Sequence, residues 1–203
     1  MSFVDRGSRL QGFTRETPGA LELGCGPSKV DPTAVGVDML DHPAVDVVGE
    51  AVEVLSSLPE GSVARVHSAH FFEHVPDLDG LMAALSRAVA DGGVVTVTVP
   101  HFANPYYHSD PTHVRPFGLY SFSYLAAAPL LHRQVPRYGK DYRFEVTSLH
   151  LGFTSPWYLR RMLRKVVEVF ANLSNGTREF YEENLVYVVP PYELTATLRR
   201  LPR

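Results

Sequence analysis

Two carboxylates and two glycines near one end of the chain have the types and spacing to hold a nucleoside. Glu22, Gly24 and Gly26 fall in the run Ala20-Leu21-Glu22-Leu23-Gly24-Cys25-Gly26-Pro27-Ser28, and Asp38 closes the run Val35-Gly36-Val37-Asp38. A Gly-x-Gly turn at the end of an apolar strand lets the backbone approach a ligand closely. An acid at the tip of the next strand can accept both vicinal hydroxyls of a ribose. Other nucleotide sites fit less well. The phosphate loop Gly-x-x-x-x-Gly-Lys-Ser/Thr is absent. A dinucleotide site wants a third glycine three places after the second, where this chain has Lys29. Glu22 suits a ligand that brings an ammonium group, by polarising the loop or its waters. Cys25 reads as a small side chain filling the tight turn.

The second set lies in His101-Phe102-Ala103-Asn104-Pro105-Tyr106-Tyr107-His108-Ser109-Asp110-Pro111-Thr112-His113-Val114-Arg115-Pro116-Phe117. Any one of these residues is suited to ordering a long loop. Together they offer stacking faces, hydrogen-bonding groups and a base in one place. Tyr106, Tyr107, Phe117 and Tyr120 supply aromatic area, and His101 and Arg115 supply polar contacts, a combination that suits sugar rings. His108, Asp110 and His113 supply proton chemistry. An imidazole ordinarily titrates at about 6.5, close to neutrality. His113 is therefore the first candidate for a general base, with Asp110 as its orienting partner and His108 as the second candidate. His70 and the pair Glu73-His74 follow another apolar run. His70 reads as a contact to bound ligand, and Glu73-His74 as a cap on the helix that follows.

These residues need a parallel sheet to bring them together. Helical spacing of Leu78, Leu81, Met82, Leu85 and Val89 predicts a helix from Asp77 to Ala90, ended by Asp91-Gly92-Gly93. Val94 to Pro100 reads as a buried β-branched strand. Its exit into the aromatic loop is where open α/β sheets bind ligands. A helix from Trp157 to about Ala171 carries Arg160, Arg161, Arg164 and Lys165 on a solvated face and Leu159, Met162, Leu163, Val166, Val167 and Phe170 on an apolar one. About eight residues separate the glycine turn from the second strand, fewer than the ten or so a full crossover helix needs. That predicts a one-turn helix or an irregular crossover, leaving the site open or covered by residues 2–17.

Bulk properties narrow the classes. The chain has 203 residues, 45% hydrophobic, with a net charge of −3 and one cysteine. That fits one domain with a sizeable core. The charge argues against a nucleic-acid partner. No apolar run reaches membrane-spanning length and no secretory pattern opens the chain, so a cytoplasmic location is expected. A second copy of the chain is a candidate partner, with residues 172–176 open as a dimer edge, a lid or a plain turn.

From roughly residue 18 to 125 the order of these pieces resembles class I S-adenosylmethionine (SAM)-dependent methyltransferases, whose first motif usually reads Glu/Asp-x-Gly-x-Gly. The resemblance implies an α/β fold: a single Rossmann-like domain with a seven-stranded, mostly parallel sheet and a truncated first crossover helix. Residues 18–100 would form the cofactor half, 101–150 the acceptor-binding insert and 151–203 a C-terminal helix and strands. It implies SAM at Glu22, Gly24, Cys25, Gly26, Asp38 and Met39, with Glu50 and Ala51 near the adenine and His70 near the methionyl part. Pro100-His101-Phe102 through Ser109-Asp110-Pro111-Thr112-His113 also resembles a short group linked to polysaccharide and lipopolysaccharide biosynthesis. That implies O-methylation of a sugar hydroxyl on an oligosaccharide or polysaccharide precursor, a methylated mannoside being one acceptor. An N-methyltransferase acting on an amino sugar or small amine, and a non-catalytic SAM-binding module, are the alternatives. A divalent cation such as Mg²⁺ is left open and not favoured, because His108-x-Asp110-x-x-His113 lacks a recognised zinc spacing and Mg²⁺ prefers oxygens.

Overall fold

The computed structural model describes residues 3–128, 130–139 and 142–202. In chain order the elements are β1 (Val4–Asp5), β2 (Gly19–Leu23), β3 (Val35–Asp38), β4 (Val47–Val48), α1 (Ala51–Ser57), β5 (Val63–Ala69), α2 (Leu78–Ala88), β6 (Val89–Pro100), β7 (Phe144–Gly152), α3 (Tyr158–Ala171), α4 (Asn175–Asn184) and β8 (Glu193–Arg200). The strands form one sheet in the order β1-β4-β3-β2-β5-β6-β8-β7. β4, β3, β2, β5 and β6 run parallel, β1 is antiparallel to β4, and β8 is antiparallel to both its neighbours.

The sheet is thus eight-stranded and mixed, which corrects the expected seven mostly parallel strands. The additional strand comes from the N-terminal segment. Val4 and Asp5 pair with Val48 and Val47, and Leu10 and Phe13 behind them enter the core. This segment runs along the sheet rather than over a ligand site. Ser2, the first residue of the expected cover, lies outside the described residues.

The first crossover contains no helix, which corrects the expected truncated one. Side chains hold residues 24–34 instead. Glu22, buried at the end of β2, accepts the N–H groups of Val30 at 2.9 and 3.0 Å and of Asp31 at 2.9 Å. Lys29 donates to Ala34 O at 3.0 Å and to Asp46 at 2.7 Å. A buried carboxylate with several N–H donors satisfies the backbone groups that a helix would have paired internally. Without that helix, one face of the sheet stays partly open as a cleft of about 290 Å³ whose walls include Arg65, His67 and Thr96.

On the opposite face, Val95, Val97 and Val99 of β6 are fully buried. α2 buries Leu81, Met82 and Leu85, as its spacing predicts, and Asp77 caps it by accepting the Gly80 N–H at 2.9 Å. Glu73 is therefore not the cap the sequence suggested. Val89 belongs to β6, which begins earlier than expected because the chain turns through Gly92 at φ 78° within the strand. Residues 172–174 turn from α3 into α4, whose first residues are 175 and 176, and Ser174 and Thr177 form its capping box. α3 has only Ala171 buried and Val167 partly buried against the core, so most of its apolar side does not face the core.

Candidate active site

The carboxyl ends of the parallel strands open into a cavity of about 360 Å³. Its walls include Gly24, Asp38, Met39, Glu50, Ala51 and His70, together with Phe71 and His74. Glu22, Cys25 and Gly26 do not line it; they build the turn beneath it. Gly24 and Gly26 adopt φ of 68° and 54°, a region that costs other residues about 1–2 kcal/mol. A side chain at Gly24 would also place its Cβ 2.6 Å from the Cβ of Phe71, whereas nothing lies within 4 Å of one at Gly26. The first glycine is thus demanded by packing and backbone, the second by backbone alone.

Asp38 ties this turn to β3. One carboxylate oxygen accepts the Gly26 N–H at 2.9 Å and the other accepts the Leu40 N–H at 2.8 Å. A carboxylate has about four acceptor sites, so capacity for incoming hydroxyls is left. Burial first, then the charges of Asp38 and Glu22, push the Cys25 thiol up to about 11. It is protonated at neutral pH, which fits a space-filling side chain and not a nucleophile.

Across the cavity His70 holds a left-handed φ of 53°, a conformation that side-chain-bearing residues rarely adopt outside functional turns. Its ring lies between Glu193, at 3.7 Å, and Glu73, at 3.5 Å. These carboxylates, Glu193 foremost, raise the imidazole to about 9, so His70 is a cation at neutral pH. Glu73 is fully buried and neither of its carboxylate oxygens has a hydrogen-bond partner. Such a group is costly to bury; His70 and His74 approach it at 3.5 and 3.9 Å.

His74 and His113 complete that cluster. Their rings lie 4.8 Å apart, and His113 also stacks on Tyr107 at 4.9 Å. Nδ1 of His113 donates to Tyr107 O at 2.8 Å. The Thr112 hydroxyl donates to Asp110 at 2.6 Å and so accepts from Nδ1 of His74 at 3.0 Å. These partners assign the tautomers and leave both Nε2 atoms as acceptors when the rings are neutral. Glu73, His74 and His113 each bring one ligand-type atom within 4.8 Å of the others. Asp110 reaches Nε2 of His113 at 3.7 Å while holding the Thr112 turn.

Other candidates fall elsewhere. His101 is fully buried, bonded to Glu182 at 3.0 Å and to the Ala103 N–H at 3.2 Å. Phe117 is in the core, stacked on Phe122. Both are corrected from acceptor contacts to parts of the scaffold, because a long loop needs a core of its own. Tyr107 is buried as the platform for His113. His108 is exposed at the surface, packed edge-on against Tyr107. Arg115 donates to Val75 O and Pro76 O and lines a separate cleft of about 330 Å³. Tyr120 bonds to Glu179, and burial raises its phenol to about 12. Tyr106 is exposed beside Tyr192. Glu73, His74 and Glu193 are the site residues that sequence reasoning missed. For Glu73 and His74 the signal was their place just after His70; for Glu193, a strand start with no motif, there was none.

No family model matches the chain, and no curated protein matches it either. Its fold is similar to that of solved methyltransferases. A SAM-dependent methyltransferase from Archaeoglobus fulgidus aligns at 15% identity with a TM-score of 0.58, over 95% of this chain and 90% of that one. A putative methyltransferase from Bacillus halodurans aligns at 14% identity and 0.56, over 97% and 100%. Phosphoethanolamine N-methyltransferase 2 from Haemonchus contortus, in complex with S-adenosyl-L-methionine, aligns at 16% identity and 0.54, over 96% of this chain but only 51% of that protein. At these identities the likeness establishes the architecture: an α/β, Rossmann-like methyltransferase fold.

Proposed function

We propose that the chain is a SAM-dependent O-methyltransferase acting on a sugar hydroxyl of an oligosaccharide or polysaccharide precursor, a mannoside being one candidate. The observation that carries the reading is that His74 lines the cavity beside the glycine turn and also touches His113. A nucleoside-sized cavity and a proton-accepting cluster therefore share one wall.

In this reading Gly24 and Asp38 hold the adenosine, Gly26 fixing Asp38 through its N–H, with Met39, Glu50 and Ala51 along the adenine edge. His70, held between Glu73 and Glu193, lies near the methionyl part. When bound, the sulfonium donor supplies an already activated methyl group. The residues of this chain then align the acceptor oxygen with it and remove the hydroxyl proton. His113 takes that proton on Nε2, its ring held by Tyr107 and its charge balanced by Asp110. Such assistance typically contributes ~10²–10⁴ in rate. Exposed Tyr106 offers a stacking face for the sugar.

The test is calorimetry with S-adenosylhomocysteine, followed by transfer to a panel of neutral sugars, amino sugars and small amines. Heat of binding with methylation of neutral sugars supports the reading. Methylation of amines alone moves it to N-methyl transfer, and binding without any transfer leaves a SAM-binding module.

A second reading of the same cluster rests on the buried Glu73 carboxylate, whose contacts with His70 and His74 are longer than hydrogen bonds. A divalent cation held by Glu73, His74 and His113 would lower the pKa of a bound hydroxyl and take over the work of the base. Two imidazoles and one carboxylate suit a zinc-like ion better than Mg²⁺. Activity that survives chelation excludes this second reading.

A further inference from the structure

α3 is fastened to the fold by its polar side. Glu168 accepts the Phe153 N–H at 2.8 Å, Arg164 donates to Thr154 O at 2.8 Å, and Ala171 is its buried residue. At about 100° per residue, its large apolar side chains gather on the opposite side, in an arc of roughly 140°. Leu159, Leu163, Val166 and Val169 on that arc are 73%, 69%, 70% and 67% exposed. An amphipathic helix ordinarily buries this side against its own protein. Here the orientation is reversed.

We propose that α3 is a membrane-surface helix that lies in the interface of an anionic lipid bilayer. The apolar arc carries no acidic residue and is bordered by cations: Arg160 on one side, Arg161 and Lys165 on the other. Lys165 pairs with Glu168 at 2.8 Å, and Arg161 lies over the ring of Tyr158. Trp157 and Tyr158 stand exposed where the helix begins, and such rings favour the water–lipid boundary. Apolar residues on one side with basic residues along the rims are the pattern of interfacial helices. A second copy of the chain is a poorer occupant, because a two-fold contact would set these rims against their own like charges, whereas anionic headgroups pair with each cation. The helix lies on the surface and does not cross it. Its 14 residues span about 21 Å, short of a hydrocarbon core of about 30 Å.

The proposal stands apart from the methyl-transfer reading, since binding to lipid needs neither donor nor acceptor. The test is flotation of the full chain with phosphatidylcholine vesicles, with and without phosphatidylglycerol. The chain should float with the anionic vesicles only. R160Q and R161Q should each weaken binding about five-fold, and L163D/V166D should abolish it with circular dichroism and melting midpoint unchanged. The altered side chains are exposed, so the fold should be kept. Equal flotation with neutral vesicles, or none with anionic ones, overturns the proposal. A concentration-dependent dimer that L163D/V166D disperses, without vesicle binding, overturns it in favour of a second copy.

Discussion

Asp38 accepts the backbone N–H of Gly26 at 2.9 Å across twelve residues of sequence. The Asp38 carboxylate, proposed above to hold the ribose, and the glycine turn are therefore joined directly. Asp38→Ala removes a charged acceptor, and hydrogen bonds to charged groups contribute about 1.5–3 kcal/mol. S-adenosylhomocysteine affinity measured by calorimetry should drop at least ~10-fold. An unchanged Kd would detach Asp38 from the cofactor.

The two glycines of the turn should respond unequally. Gly24→Ala meets both a left-handed φ and the Phe71 Cβ at 2.6 Å, whereas Gly26→Ala meets the φ alone. Chemical denaturation should show Gly26→Ala costing about 1–2 kcal/mol and Gly24→Ala clearly more, as overpacking adds about 1–3 kcal/mol. Equal losses would mean that Phe71 yields freely.

His70 should titrate near 9, because Glu193 and Glu73 favour its charged form. The folded value lies above the ordinary imidazole value of about 6.5. Its contribution to stability is therefore complete below that ordinary value and is lost as pH rises through about 9. An NMR titration of the His70 ring that ends near 6.5 would contradict the assignment.

Glu73→Gln separates charge from shape. The amide removes the buried charge that pairs with the His70 cation, so the melting point at neutral pH should fall. The His70 titration should move down, having lost one of the two carboxylates that raise it. A falling melting point with an unmoved His70 would show that Glu73 acts through packing alone.

His113→Ala should reduce turnover by ~10²–10⁴ and leave S-adenosylhomocysteine binding near wild type. His108→Ala should change neither, because that ring is exposed and not part of the cluster. Equal effects of the two substitutions would remove His113 from the role of base.

Much of this fold is legible in the chain itself. The run from Glu22 to Gly26, the acid at 38, the apolar spacing of 78–85 and the β-branched strand after Gly93 are local signals. Each depends on residues a few positions apart, and periodicity and backbone freedom act over that range. Tertiary structure decided what depends on distant residues. It gave Glu22 the work of a missing helix, because Val30 and Asp31 curl back onto it. It drew His101 and Phe117 into a core, and it set Glu193 beside His70 across the sheet. It also turned the apolar arc of α3 outward. Helical spacing specifies that such an arc exists, but which side of the helix meets the protein is settled by the anchoring bonds of Arg164 and Glu168, and no local rule contains those.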